Sequence, residues 1–453
     1  MQLRQYQLDA ISGLRQAFLQ GHRSALLVMP TGAGKTACFT SMAASATAKQ
    51  KRTLILVHRR ELINQASSKL NLLGVKHGII AAGFEPSSHN VQVASVQTLV
   101  RRLNKIDFKP DLLIADEAHH AVAGSWDTII KHFSDALLVG VTATPERLDG
   151  RGLNTHFQSL VIGPYVDQLV ADGYLSSHKV FAPPIGVNLS KVKMRGGDYA
   201  KDELGEIMDK PAITGCAVAH YKRLADGLPA IAFCVNVAHA TSVCSSFVDA
   251  GYRAKLVTGE MPMDQRDEAI SGLADGRTQI LCSVDVVSEG TDVPAVSCAI
   301  LLRPTASTSL YMQQVGRVLR PQPGKVAIII DHVNSTRKHG FVDDRRSWSL
   351  DSKAKRQRKD EPAPSVRQCP ECFAAFKPQP ICPCCGHVFE TKEGGILNLK
   401  GDLQELRKEK ARERQELRRE QGKARTLEEL LALAAKKGYK PGWAYRIYHG
   451  RRR

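Results

Sequence analysis

Short apolar, β-branched runs recur along most of the chain, and stretches with helical spacing separate them. A first series reads SALLVMP (24–30), RTLILVH (52–58), VQVASV (91–96), DLLIADE (111–117) and ALLVGVTAT (136–144). A second reads PAIAFCV (229–235), AKLVT (254–258), QILCSV (279–284), SCAILLRP (297–304) and KVAIIID (325–331). Near-continuous apolar runs mark strands buried on both faces, and their alternation with helices is the signature of parallel sheets built from strand–helix–strand units. The pattern predicts an α/β chain with two successive parallel-sheet domains, 1–150 and 216–340, joined through 151–215. The joining segment carries glycine-rich MRGGDYA (194–200), which leaves open whether it is a linker or part of either domain.

After residue 340 the alternation stops. Residues 345–367 are basic and proline-containing with little periodicity, so 341–367 is expected to be a flexible basic linker. A cysteine-rich module follows at 368–390, and then a basic helical tail at 391–453. Within the tail, 402–425 is crowded with Glu, Lys and Arg and has few apolar positions, as in a solvated helix or one that follows a partner surface. Thr426 and Glu429 form a capping-box pattern ahead of LLALAAKK, with Gly438 as the expected stop. Trp443, Tyr445 and Tyr448 then lie among basic residues, where core packing and base stacking are both open readings and packing is favoured for Trp443.

Charge sharpens this division. The net charge is +18, and residues 331–453, with 29 Lys+Arg against 17 Asp+Glu, carry +12 of it. Such an excess favours a polyanionic partner and places the electropositive part in the tail. No run of 18 apolar residues occurs, and MQLRQYQLDA lacks the features of a signal peptide, so the expected setting is cytoplasmic with no membrane role. Of eleven cysteines, Cys38, Cys216, Cys234, Cys244, Cys282 and Cys298 are scattered and read as buried thiols, whereas the other five are clustered.

The first domain carries the elements of a nucleoside triphosphate site. Pro30, Thr31, Gly32, Ala33, Gly34, Lys35 and Thr36 follow an apolar strand and precede a helical pattern. Glycines let backbone N–H groups approach phosphates, Lys35 neutralises their charge, and the Thr36 hydroxyl is suited to magnesium. Met29 departs from the general pattern, which has glycine there. Asp116 and Glu117 end another apolar run, which at a sheet's carboxyl edge would present one carboxylate to magnesium and the other to the attacking water. His119 is placed to hydrogen-bond across that site, and His120 has no assignable role. In the second domain, QQVGRVLR (313–320) supplies Gln313, Arg317 and Arg320. An arginine delivered from another domain stabilises the charge spreading over a transferring phosphate, with Arg320 the first choice and Arg317 the second.

This set resembles a superfamily 2 helicase of the DEAH-type group related to restriction-enzyme motors and phage helicases. The elements run in the family's order: RQYQ (4–7), MPTGAGKT (29–36), LVHRRELINQ (56–65), DEAH (116–119), VTATP (141–145), SEGTDVP (288–294) and QQVGRVLR. The resemblance covers about residues 1–335 and makes the Met29 departure harmless. It implies two RecA-like domains sandwiching ATP, with Gln7 on the adenine and Gly290 and Asp292 near the nucleotide. It also implies a nucleic-acid track along Arg59, Arg60, Thr98 and Ser288, with Thr142 and Thr144 linking nucleotide state to that track.

The cluster at 369–385 adds a metal. Cys369-Pro-Glu-Cys372 and Cys382-Pro-Cys-Cys385-Gly386 match paired knuckles in which a tight turn aims two thiolates at one cation. The expected ligands are Cys369, Cys372, Cys382 and Cys385 in a zinc ribbon, with Cys384 a bystander; iron and redox chemistry are the alternatives. Together these readings predict an ATP- and magnesium-dependent helicase or translocase, on DNA rather than RNA, with the ribbon or charged tail contacting substrate or a protein partner. Two rivals stand beside it: a zinc-mediated ATPase switch that binds nucleic acid without unwinding, and the motor subunit of a restriction complex.

Overall fold

The computed structural model describes residues 2–121, 124–147, 149–183, 192–285, 296–352, 365–389, 424, 426–436 and 444. Residues Met1–Val388 form one compact unit and Phe389–Arg453 a second.

The first series of apolar runs becomes a seven-stranded sheet of β1 (Ser24–Val28), β2 (Thr53–Val57), β3 (Gly78–Ile80), β4 (Val91–Ser95), β5 (Leu112–Asp116), β6 (Leu137–Thr142) and β7 (Ser159–Ile162). Its order is β3-β4-β2-β5-β6-β1-β7, and every pair is parallel. All five residues of β1 and of β2 are buried, because helices cover both faces of the sheet. The helix Gln5–Leu19 packs Ile11, Leu14 and Ala17 into the core on one face, while Trp126 and Ile129 of the helix Gly124–His132 fill the other.

The second series forms β11 (Ala230–Phe233), β12 (Ala254–Val257), β13 (Ile280–Ser283), β14 (Cys298–Leu301) and β15 (Val326–Asp331), again all parallel. The segment between the two series divides: β7 completes the first sheet, β8 (Ser177–Phe181) joins the second beside β15, and a small hairpin pairs β9 (Met194–Arg195) with β10 (Asp198–Tyr199). The crossing between sheets therefore falls at 163–176.

The second sheet does not stop at β8. The cysteine module contributes β16 (Arg367–Gln368) and β17 (Ala374–Phe376), and β17 pairs antiparallel with β8, giving the order β12-β13-β11-β14-β15-β8-β17-β16. The other unit contains the helix Leu427–Lys436, and its capping box is formed: Glu429 N–H donates to Thr426 Oγ1 at 3.2 Å and Thr426 N–H to the Glu429 carboxylate at 3.1 Å. Leu430, Ala434 and Ala444 make its small apolar cluster. Gly438, Trp443, Tyr445 and Tyr448 lie outside the described residues.

Candidate functional site

Three loops that carry chemistry leave strands adjacent in the first sheet, β5, β6 and β1. With strands about 4.8 Å apart, the end of β5 lies about 10 Å from the loop after β1, the scale of a bound phosphate chain with its cation. The order of the strands, not their order in sequence, brings these loops together.

The loop after β1 turns through left-handed Gly32 (φ 87°) and Gly34 (φ 83°) into the helix Lys35–Thr47. Helix-start N–H groups lack internal partners and favour an anion there. Lys35 Nζ donates only a long bond to Met29 O, at 3.4 Å. The first helix holds this loop: buried Gln7 donates Nε2–H to Ala33 O at 3.0 Å, and Tyr6 donates its hydroxyl to the same carbonyl at 3.1 Å. Gln7 Oε1 in turn accepts from Arg4 N at 3.0 Å. Beside it, the Arg4 guanidinium lies 4.5 Å over the Tyr174 ring, whose centroid is 5.1 Å from that of Tyr6.

Asp116 ends β5 and is buried, and its Oδ1 accepts from Glu117 N at 3.0 Å. Burial and the neighbouring Glu117 charge push the Asp116 carboxyl up to about 7, against the pull of Lys35. A divalent cation would reverse that balance, so the charge arrangement fits a magnesium site. Glu117 takes a left-handed turn (φ 50°) into a short 3-10 helix. His119 Nδ1 lies 3.3 Å from the Glu117 carboxylate and 3.1 Å from Thr142 Oγ1. Because Thr142 gives its own proton to Thr144 O at 2.9 Å, the His119 Nδ1–H is the donor between them. The carboxylate segment and the β6 loop are thereby joined through one imidazole. The His120 ring is tilted against that of His119, with centroids 4.1 Å apart, and lies 5.2 Å from that of His58. Sequence reasoning missed Arg147, which donates to His119 O at 2.7 Å and pairs with Asp149 at 2.6 Å; it lies just past VTATP, a position that offered a signal.

The second domain reaches the same loop through the helix Thr308–Val318. A Cβ on Gly316 would lie 2.5 Å from Thr31 Cβ, so only glycine permits this approach. Gln313 and Arg317 are buried and Arg320 is half-buried. Gln313 Nε2 is buried with no hydrogen-bond partner among the described residues, a donor suited to a nucleotide oxygen. The crossing segment is caught between the two parts. A Cβ on Gly32 would lie 3.0 Å from the Leu175 side chain, while Ser176 N donates to Leu319 O at 2.8 Å and Ser176 Oγ to Arg320 O at 3.1 Å.

Of the expected nucleic-acid residues, Arg59 is engaged across the domains. Arg59 Nη1 donates to Asp285 O at 2.9 Å, and neighbouring Glu61 pairs with Arg266 at 2.7 Å. Arg60 lies 5.6 Å over the Phe84 ring, and Thr98 is half-buried in the helix Val96–Arg102. Asp285 itself pairs with Lys201 and Arg303. Ser288, Gly290 and Asp292 lie outside the described residues.

At the edge of the second sheet the sulfurs of Cys369, Cys372, Cys382 and Cys385 all lie within 4.8 Å of one another. Cys369–Cys385 and Cys372–Cys382 Sγ separations are 3.6 and 3.7 Å, against about 3.8 Å for a tetrahedron of Zn–S bonds near 2.3 Å. The donor set fits a tetrahedral metal, and exposed Cys384 stands outside it. The two knuckles differ at the residue that follows the second cysteine. Gly386 takes the left-handed turn of the second (φ 76°), but Phe373 takes it in the first (φ 65°). Its ring sits 4.9 Å from the Arg223 guanidinium and edge-on to His220 at 5.7 Å, contacts that offset the strain.

Comparisons with known proteins agree with this geometry. Residues 1–147 match the family model described as type III restriction enzyme, res subunit, and residues 216–322 match the helicase conserved C-terminal domain. A 51.5 kDa protein of a Lactococcus phage is 32% identical over 390 residues, spanning 85% of this chain and 83% of that protein. A candidate ATP-dependent helicase of Saccharomyces cerevisiae, IRC3, is 34% identical over 341 residues, or 70% of this chain and 49% of its own, so the chain spans about half of that relative. A solved fragment of a candidate HsdR subunit of a type I restriction enzyme from Vibrio vulnificus superposes with a TM-score of 0.58 at 24% identity, covering 75% of this chain and 67% of the fragment. The chain belongs to the superfamily 2 helicases of the restriction-motor type. It is accordingly an ATP hydrolase of that class. No helix among the described residues is long and apolar enough to cross a membrane.

Proposed function

We propose that this protein is a magnesium-dependent DNA translocase that separates or remodels strands by cycling its two RecA-like domains on ATP. The observation that carries this reading is the approach of Gly316 to Thr31, which sets the helix of Gln313 and Arg317 directly on the phosphate loop. A nucleotide at Lys35 would be touched from both domains, so its hydrolysis would alter their contact.

In this reading Lys35 and the helix-start N–H groups hold the phosphates, Thr36 and Asp116 hold magnesium, and Glu117 orients the attacking water. His119 positions Glu117 and transmits its state to Thr142. Arg317 and Arg320 stabilise the charge developing on the transferred phosphate. Gln7 secures the loop through Ala33 and borders the adenine side, where Arg4 and Tyr174 offer a stacking surface. Arg59, Arg60 and Thr98, with Ser288, Gly290 and Asp292 from the second domain, complete the strand track and the far side of the nucleotide. The preference for DNA follows from the restriction-enzyme family model, and zinc from the four-thiolate donor set. The ribbon and charged tail are the expected contacts for a protein partner.

ATP hydrolysis measured with single-stranded DNA, duplex DNA, forked DNA and RNA tests the reading, together with displacement of a labelled strand. DNA is expected to stimulate hydrolysis, and Lys35→Ala to lose at least about a hundredfold in turnover and all displacement. Stronger stimulation by RNA would overturn the substrate assignment, and no response to any nucleic acid would overturn the motor itself. Stimulation by DNA without displacement would favour a pure translocase or an ATPase switch.

A further inference from the structure

Three consecutive residues of the crossing between the sheets touch three parts of the candidate nucleotide site. The crossing leaves the helix Val166–Ala171 through left-handed Gly173 (φ 72°), after which Tyr174 N and Leu175 N both donate to Leu169 O, at 2.7 and 2.9 Å. That helix-end turn fixes the course of the residues after it. The Tyr174 ring lies against Tyr6 and Arg4, buried Leu175 lies beside Gly32 of the phosphate loop, and Ser176 reaches the end of the helix Thr308–Val318.

The helix Thr308–Val318 is capped at Leu319, and carbonyl groups at a helix end have no partner within it. Here the carbonyls of Leu319 and Arg320 are taken up from outside. Ser176 N donates to Leu319 O at 2.8 Å, while Arg320 O accepts from Ser176 Oγ at 3.1 Å and from Lys325 Nζ at 2.9 Å. Two donors on one carbonyl use both of its lone pairs. Sheet register brings these donors together. The strands β8 and β15 are parallel with Ser177 opposite Val326, so Ser176 and Lys325 stand side by side where the two strands begin. Lys325 is set there by the turn 322–325, which is closed by Lys325 N to Gln322 O at 3.2 Å with Gly324 left-handed (φ 69°). Lys325 is half-buried, and burial together with the Arg320 charge lowers its pKa to about 8. At neutral pH the charged amine is still the donor, which strengthens the bond.

Water satisfies an exposed carbonyl at a helix end, so these bonds are not needed merely to terminate the helix. What they hold is the backbone of the arginine assigned above to the transferred phosphate, a group for which a misplacement of about 1 Å costs up to about a hundredfold in rate. We propose that Ser176 and Lys325 are positioning residues for ATP hydrolysis: they hold the Arg320 backbone and so set where its guanidinium stands relative to the phosphate loop. Because Ser176 directly follows Leu175, the same segment ties that position to Gly32. The proposal rests on the assignment of Arg320 made above.

Steady-state ATP hydrolysis with single-stranded DNA present, together with binding of ADP and of ADP–aluminium fluoride, a mimic of the transferring phosphate, tests it. Ser176→Ala and Lys325→Met are each expected to lower turnover roughly fivefold and to weaken ADP–aluminium fluoride binding by the same factor, with KM for ATP and affinity for ADP within about twofold of wild type. Lys325→Arg, which keeps a donor, should retain most of the turnover. Arg320→Ala should lower turnover at least about a hundredfold, and adding Ser176→Ala to it should change nothing further, because the serine acts through the arginine. Thermal melting reports whether each variant folds, and Lys325→Met carries the test if Ser176→Ala does not. Variants that fold and turn over as wild type, or a Ser176→Ala loss that persists undiminished in the Arg320→Ala background, would overturn the positioning role while the assignment of Arg320 stands. Wild-type turnover in Arg320→Ala would remove that assignment and the proposal with it.

Discussion

The two large sheets are built from the same strand–helix units, yet their edges are finished differently. In the first, β7 is an ordinary parallel edge strand whose last residue, Ile162, is 43% exposed. In the second, the corresponding edge is covered. The strand β17 of the cysteine module pairs with β8 through Ala374–Phe181 and Ala375–Val180, and Val180 and Phe181 are buried there. Further bonds reinforce the seam: Ala182 N donates to Phe373 O at 2.8 Å, Arg223 to Glu371 O at 2.6 Å, and Lys377 pairs with Asp344 at 3.1 Å. An uncovered strand edge invites slippage and foreign pairing, and here a short hairpin built on the four-cysteine cluster covers β8. The difference teaches that the first sheet presents the candidate carboxylate Asp116 at the end of one of its own strands, while the second is completed by a short accessory module.

Breaking that dependence should give the largest effect. A metal held by the four thiolates would supply most of the folding free energy of a module this small, a term of about 10 kcal/mol or more in isolated zinc domains. Chelation or Cys385→Ser should release β17, lower the melting temperature by roughly 10 °C, and raise hydrogen exchange in β8 while β1–β6 stay protected. Cys384→Ser should keep the metal and the melting temperature, and elemental analysis beside the melts would show it. Equal metal loss in both variants would refute the ligand assignment.

A smaller effect is expected where the sheets meet. Gly316→Ala places a methyl group against Thr31 and forces the Arg317 helix away from the phosphate loop. Steady-state kinetics should show turnover reduced about tenfold, since an arginine displaced from a transferring phosphate loses most of its stabilisation. Melting temperature should barely change, in contrast to the cysteine variant.

The smallest effect concerns acid. Beneath the seam, His332 is buried beside His220 at 5.1 Å, and burial together with that neighbour lowers its pKa to about 3. The folded state therefore holds a neutral imidazole that the unfolded chain protonates near pH 6.5. Stability from this group is complete above that value and is lost progressively as pH falls toward 3. Melting scans at pH 7.5 and 5.5 should show a decline in the wild-type protein that His332→Phe reduces by a few degrees.

Much of this was legible in the chain. The apolar runs marked the strands, because a strand buried on both faces must be apolar throughout. The phosphate loop, the Asp116–Glu117 pair and the four cysteines were each readable from local spacing, because a turn, a strand end or a knuckle is a short-range object. Less legible was how these pieces would be used. Gln7 secures the phosphate loop, Arg59 reaches the second domain, and Gly316 is as consequential as the arginine after it; each fact depends on contacts remote in sequence.

The sequence alone thus determined the class of chemistry, since backbone-cradled phosphate, paired carboxylates and thiolate knuckles need particular residue types at fixed spacings. Tertiary structure decided the connections. It divided the segment after β6 between two sheets and turned the cysteine module from an appendage into a sheet edge. Hydrogen bonds between strands carry no side-chain signature, so a sequence shows which segments can pair but not which edge they will complete.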